Sequence, residues 1–201
     1  MWPPLAIAHA AKTGERREEI LGGLERTLLE GAEAIAIDAH SPVLSEVFRW
    51  VRNQNCMAFV IVGNSTPDAE VMLARKIGRA RAHHLVRVIA PDLEGLRRIR
   101  QLDAKIHLGL QLDGRKPSMR EAKALGAEVL LLPGKGIAPA FIRRAHRAAM
   151  LVVPCAMDSP LQMRRAILAG VDGIITRDPA KLAQSIAGLP KKAPQRPAPA
   201  H

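Results

Sequence analysis

Titratable side chains stand at the ends of several short apolar runs in this sequence, and their types are those that move protons or hold ions. His9 closes "LAIAH", and Asp38 closes "AIAID" with His40 two residues further on. Imidazole titrates near neutral pH, and a carboxylate can orient it or bind a cation. If Asp38 and His40 both continue a strand, their spacing of two puts the side chains on one side, with His9 ending the neighbouring strand. Two imidazoles and one carboxylate would then form either a transition-metal donor set or a base oriented by an acid. The plainer alternative makes Asp38 a helix cap or the partner of a nearby cation, with the histidines as remnants in a polar cleft.

A second set of residues suggests anion binding. Lys135 lies between Gly134 and Gly136 in "LLLPGKGIAP", where the glycines let backbone amides approach an anion that the lysine neutralises. Arg177 follows "DGIIT". A phosphate-containing ligand touching both is one reading, and a plain turn with a surface arginine is the other. Cys155 follows Pro154 and would act as a nucleophile only beside a histidine base; an ordinary thiol is the simpler account. Asp158 and Asp178 precede helix starts, where capping suffices to explain them.

The elements that must position these residues are legible from periodicity. Eight short apolar runs, "LAIAH", "AIAID", "MAFVIVG", "LVRVIA", "KIHLGLQL", "EVLLLP", "MLVVP" and "DGIIT", have the composition of parallel strands buried on both faces. The segments between them, such as "EEILGGLERTLLEG" and "DLEGLRRIRQL", carry the 3.6-residue apolar period of amphipathic helices. A capping residue followed by Pro announces helix starts at Ser41, Thr66, Ser159 and Asp178, and Gln162 completes a capping box with Ser159. Strand, cap and helix, repeated eight times, predict an α/β fold of the (β/α)8 TIM type, with a doubly wound open sheet as the competitor. Residues 1–188 form the barrel at roughly 23 residues per unit, a compact example. Residues 189–201, a basic Pro/Ala-rich tail, are expected to be disordered.

In such a barrel the strand C-terminal ends build the functional face. That face draws on His9, Asp38, His40, Asn64, Ala90, Gln111, Asp113, Lys135, Cys155, Asp158, Arg177 and Asp178, and Arg177 stands close to where many barrels hold phosphate. Cys56 precedes its strand and Cys155 follows one, so the two thiols fall at opposite barrel ends and should not pair.

Composition bounds the possible partners. The chain has 201 residues, 48% hydrophobic, and a mean hydropathy of +0.00, as expected of a soluble globular domain. Its apolar runs fall far short of the roughly 20 residues of a membrane helix, and "MWPPLAIAHAA" lacks the basic start of a signal peptide. With two cysteines and no disulfide framework, a cytoplasmic location is expected. The formal net charge of +11 raises the possibility of nucleic acid. Lys191, Lys192 and Arg196 lie in the tail, however, so the body carries about +8, and most of its arginines belong to helix faces. With no Tyr there are few platforms for stacking bases, and nucleic acid is not the expected partner.

Several stretches together resemble the glycerophosphodiester phosphodiesterase family. "AIAHAAKTGERREEI" and "LLEGAEAIAIDAH" are similar to its opening, in which one strand delivers His-Arg-Gly and the next Glu-x-Asp. "SPVLSEVFRWV" is like its Pro-Thr-Leu-Glu-Glu-Val helix, and "GVDGIITRDPAKL" resembles its final unit. The resemblance implies a TIM barrel and hydrolysis of glycerophosphodiesters, with a divalent calcium or magnesium ion on carboxylates and two proton-moving histidines. Carried over by position, the first histidine is His9, its neighbouring arginine is Ala10, and the carboxylate pair becomes Ala36 and Asp38. The hairpin and insertion after the second strand, which bring the second histidine, are read as deleted here, because His40 runs directly into "SPVLSEV". The family's later Glu-x-Lys falls on Val62, Gly63 and Asn64, and its Trp on Pro154.

A hard divalent cation wants about six to eight oxygens, so Asp38 alone would be a weak ligand and no resident cofactor is expected. Losing electrostatic clamps costs roughly 100- to 1,000-fold each. The expectation is a catalytically impaired homologue that keeps a phosphorylated small-molecule ligand or a protein partner, including a second copy of itself. The alternatives are an active phosphodiester hydrolase rearranged around His9, Asp38 and His40, and a basic module for nucleic acid or anionic surfaces.

Overall fold

The computed structural model describes residues 4–9, 17–63, 66–112, 119–134 and 137–188. The first half alternates β1 (Leu5–His9), α1 (Arg17–Leu29), β2 (Ala34–Asp38), α2 (Leu44–Gln54), β3 (Met57–Ile61), α3 (Pro67–Ala80), β4 (Val86–Ala90) and α4 (Leu93–Leu102). The second half continues with β5 (His107–Gln111), α5 (Met119–Ala124), β6 (Ala127–Pro133), α6 (Pro139–Arg147), β7 (Leu151–Cys155), α7 (Pro160–Ala169), β8 (Gly173–Thr176) and α8 (Pro179–Ala187). All eight strand segments expected from the apolar runs are present. They pair in parallel in the order β7-β6-β5-β4-β3-β2-β1-β8, wrapping the sheet into a nearly closed TIM-type (β/α)8 barrel rather than an open doubly wound sheet. The tail expected over 189–201 lies outside the described residues.

Successive side chains along each strand point to opposite faces, and both faces are buried. Ile7, Ala36, Phe59, Ile89, Leu131, Val153 and Ile175 form one buried cluster, which fills the barrel interior. Their neighbours Ile35, Ile37, Val60, Val88, Leu130, Val152 and Ile174 belong to a larger cluster shared with the helices. Helix α2 shows the complementary pattern, burying Leu44, Val47, Phe48 and Val51 at helical spacing against that outer layer. The interior is tight at β5, where a Cβ added to Gly109 would stand 2.5 Å from Ile89 Cδ1 and 3.0 Å from Val129 Cβ.

The barrel closes differently at its last seam. Between β7 and β8, Asp172 N donates to Val152 O at 2.9 Å, Val152 N donates to Asp172 Oδ2 at 2.9 Å, and Met157 N reaches Ile175 O at 3.3 Å. The next amide on the Val152 edge belongs to Pro154, which has no N–H to offer a ladder. Asp172 therefore clamps the seam with its carboxylate, and His146 Nε2 on α6 reaches the same oxygen at 2.8 Å.

The cap signals held in part. Thr66 Oγ1 accepts from Ala69 N at 3.3 Å and Asp178 Oδ1 from Lys181 N at 2.9 Å, as expected. At Ser41 the expectation fails, because α2 begins at Leu44 with Val43 as its cap, and Ser41 Oγ is buried without a partner. Leu44 N donates to Ser41 O at 3.2 Å, so Ser41 and Pro42 form a turn before the helix rather than its first residues. Ser159 does cap α7 with Pro160 following, but its side chain makes no capping bond, so the expected box with Gln162 is absent. Cys56, ahead of β3, and Cys155, at the end of β7, fall at opposite barrel ends as expected, and both are free thiols.

Between α3 and α4 lies a pair that the apolar pattern conceals. Glu70 is buried, with 0% side-chain exposure, and receives Arg98 Nε at 2.7 Å and Nη2 at 2.8 Å. Two parallel bonds satisfy both carboxylate oxygens in a place where an unpaired charge would be costly. Arg98→Ala is expected to cost roughly 3 to 5 kcal/mol in urea denaturation at neutral pH, and replacing both residues by leucine to recover most of that loss. A single variant no less stable than the double one would contradict this account.

Candidate active site at the barrel mouth

The inward alternation decides which side chains stand at the C-terminal mouth. Two residues beyond the interior layer come His9 on β1, Asp38 on β2, Ile61 on β3 and Cys155 on β7, with Arg177 just past β8. A cavity of about 500 Å³ opens there, lined by His9, Gln111, Cys155, Asp158, Thr176 and Arg177 with apolar Ile61, Leu131 and Ile175 beneath. His9 and Arg177 thus line one cavity. Asp38 and His40 do not line this cavity.

Those two form a separate pair. The β2 strand ends at Asp38, and His40 lies in the turn that follows, so they do not meet by strand spacing as expected. Instead the Asp38 side chain folds back over the turn: Oδ1 accepts His40 N at 2.7 Å and lies 3.1 Å from His40 Nδ1. A short acidic side chain that hydrogen-bonds the backbone two residues on is a local turn device. The same bond turns Nδ1 of the imidazole toward the carboxylate, and both side chains remain partly exposed.

Arg177 is also engaged. Asp158, expected to cap a helix, instead accepts Thr176 Oγ1 at 3.1 Å and Arg177 N at 2.9 Å on Oδ1, and Arg177 Nε at 2.6 Å on Oδ2. Arg177 Nη2 meets the same Oδ2, which leaves the two Nη1 N–H groups for another acceptor. Burial pushes the Asp158 carboxyl up, but the bonds from Arg177 and Thr176 outweigh it and hold the pKa below the usual carboxylate value. Burial pushes the Cys155 thiol up, which disfavours a thiolate and gives no support to Cys155 as a nucleophile. Of the other residues read from sequence at this face, Asn64, Asp113 and Lys135 lie outside the described residues, Ala90 ends β4 and Asp178 caps α8.

Residue types at the mouth can be tested against a hard divalent cation. The position expected to hold the second carboxylate is Ala36, fully buried in the interior layer. Asp38 supplies one carboxylate with Oδ1 already committed to His40, and Asp158 is committed to Arg177. Among the described residues no group of three or more His, Cys, Asp or Glu side chains is placed to hold a metal ion. A carbonyl- and carboxylate-rich shell is what calcium and magnesium require, and this donor set does not fit it. The Asp158–Arg177 clamp and the part of Thr176 in it were not read from sequence; the signal was the pair of polar segments "DSP" and "TRD" after consecutive final strands.

Comparison with known proteins places this arrangement. A model of the glycerophosphoryl diester phosphodiesterase family matches residues 25–181, whereas no curated protein matches significantly. Among solved structures, a glycerophosphodiester phosphodiesterase from Parabacteroides distasonis superposes with a TM-score of 0.75 at 16% identity, covering 92% of this chain and 97% of that one. A phosphodiesterase from Oleispira antarctica, in complex with the product sn-glycerol-3-phosphate, superposes at 0.75 with 12% identity, covering 92% and 97%. One from Agrobacterium tumefaciens gives 0.74 at 11% identity over 92% and 100%. Identities this low carry the fold, while the sequence match over residues 25–181 carries the relationship: the chain belongs to the glycerophosphoryl diester phosphodiesterase family.

Proposed function

We propose that this glycerophosphodiester phosphodiesterase-like barrel binds a phosphorylated small molecule at the His9–Arg177 cavity and has lost most of the metal-assisted hydrolysis of its family. The observation that carries this reading is the substitution of the carboxylate pair: Ala36 is sealed in the interior, and Asp38 is turned onto His40. What remains in the cavity suits an anion. Arg177 offers Nη1, Gln111 adds a polar group, and His9 becomes a cation when protonated, whereas the Thr176 hydroxyl is committed to Asp158 and to Asp178 N. The Oleispira antarctica structure holds sn-glycerol-3-phosphate, and a ligand of that class suits a cavity of about 500 Å³. Lys135 is proposed as a second phosphate contact, and the chain is proposed to work in the cytoplasm. No described helix is long and apolar enough to cross a membrane.

A second reading is favoured by one contact. Asp38 orients His40 at 3.1 Å, as an acid orients a base in hydrolases, so a rearranged centre with His40 as base could cleave phosphodiesters. Hydrolysis of glycerophosphocholine, followed with and without calcium or magnesium, separates the two. The proposed function predicts no metal-stimulated turnover above background; metal-dependent turnover abolished by Asp38→Ala would overturn it in favour of the second reading.

Asp158 neutralises the arginine that an anion would use. Asp158→Asn is therefore expected to tighten binding of sn-glycerol 3-phosphate about two- to fivefold, the worth of a surface charge pair. Unchanged or weaker binding in calorimetry would remove Arg177 from the site. The same carboxylate, like Asp103 and Asp178, has its pKa lowered in the fold. Its stabilisation is thus present above the unfolded value of about 4 and is lost as pH falls through the lower folded value. Acid titration of Asp158→Asn should show a shallower loss of stability below about pH 4 than the native chain; a parallel curve would contradict the assignment.

A further inference from the structure

Beside the His9–Arg177 cavity lies a second compartment of about 300 Å³, and the two share Gln111, Cys155 and Ala156 as a common wall. Among the described residues its further lining is Leu112, Leu132, Pro133 and Gly134, with Gln162 of α7. The charged groups of the mouth, Asp158 and Arg177, and the His9 imidazole line the first cavity alone, and the adjoining compartment is mainly apolar. Resting on the reading that the first cavity holds a phosphate group, we infer that the second holds an apolar substituent of the same ligand. The ligand class is a phosphate ester bearing a short alkyl chain, rather than one bearing a choline-like cation.

The lining decides between those two. A quaternary ammonium is recognised by aromatic faces, and any cation gains from a carboxylate. Among the described residues of the compartment there is neither an aromatic ring nor an acid. Apolar walls instead favour methylene groups, each worth about fourfold in affinity when fully buried. Gly134 at its wall has no room for a side chain, since an added Cβ would stand 2.7 Å from both Cys155 O and Met157 Cγ. The backbone therefore approaches closely at that wall, and a side chain in place of Gly134 would crowd it.

The test is a calorimetric series of sn-glycerol 3-phosphate and its methyl, ethyl, propyl and butyl phosphodiesters, together with glycerophosphocholine. The expected result is a Kd falling about fourfold per methylene, with glycerophosphocholine no tighter than sn-glycerol 3-phosphate. Gln162→Trp, which fills the compartment from α7, is expected to flatten the series. If sn-glycerol 3-phosphate binds but the alkyl series is flat, or glycerophosphocholine binds tightest, the inference is overturned while the phosphate-binding reading stands. If no member binds, sn-glycerol 3-phosphate included, both are overturned.

Discussion

The period-two alternation of side chains inside a closing barrel is the constraint on which the rest depends. An eight-stranded parallel barrel has room for side chains and nothing else in its lumen, so every second residue of each strand is committed to filling it. Ile7, Ala36, Phe59, Ile89, Leu131, Val153 and Ile175 do so, and Gly109 marks where the space runs out. Once that layer is set, the next inward residues are fixed at the mouth. His9, Asp38 and Cys155 owe their position to the packing beneath them rather than to one another. The same alternation explains why Ala36 matters. A residue there faces inward one step below the mouth, and with alanine it contributes volume to the core but no charge to the site.

Charge at the mouth is arranged in closed pairs. Asp38 is turned onto His40 and Asp158 onto Arg177, so each carboxylate already has a donor. A hydrogen bond to a charged group is worth more than a neutral one, and breaking one in favour of a metal ion or a substrate requires a comparable return. Two isolated pairs are poor starting material for a multi-carboxylate metal shell, and the one that lines the cavity, Asp158 with Arg177, stands beside apolar Ile61, Leu131 and Ile175. The proposal of an anion with an apolar appendage rests on that balance. The seam between β7 and β8 follows similar economy: Pro154 removes a ladder donor, and the Asp172 carboxylate takes its place in joining the last strand to the rest.

The fold was legible because burial on both faces leaves a strong mark in sequence. Runs such as "AIAID" and "EVLLLP" read as parallel strands, and all eight were found. Of the site, His9 and Arg177 are legible as strand-end residues, and both line the cavity at the mouth. Side-chain partners were not legible, since they depend on turns whose course the apolar pattern does not specify. Asp38 and His40 looked like neighbours on a strand but meet across a turn, and Asp158 looked like a cap but reaches over to β8. Ser41 misled for the same reason: a Ser-Pro pair suits a turn as well as a helix start, and the buried Ser41 hydroxyl shows which one won. Glu70 went unread because its helix signals exposure for a carboxylate, whereas Arg98 on the next helix makes burial tolerable.

The central proposal is that the carboxylate pair is broken, with Ala36 in place of one member and Asp38 turned onto His40, and that the cavity beside it takes an anion. Direct calorimetric titration of the protein with calcium and with magnesium tests the first half without any assumption about turnover. The account predicts no saturable binding tighter than about millimolar, as one partly committed carboxylate allows. Saturable micromolar binding of either ion, abolished by Asp38→Asn, would contradict it.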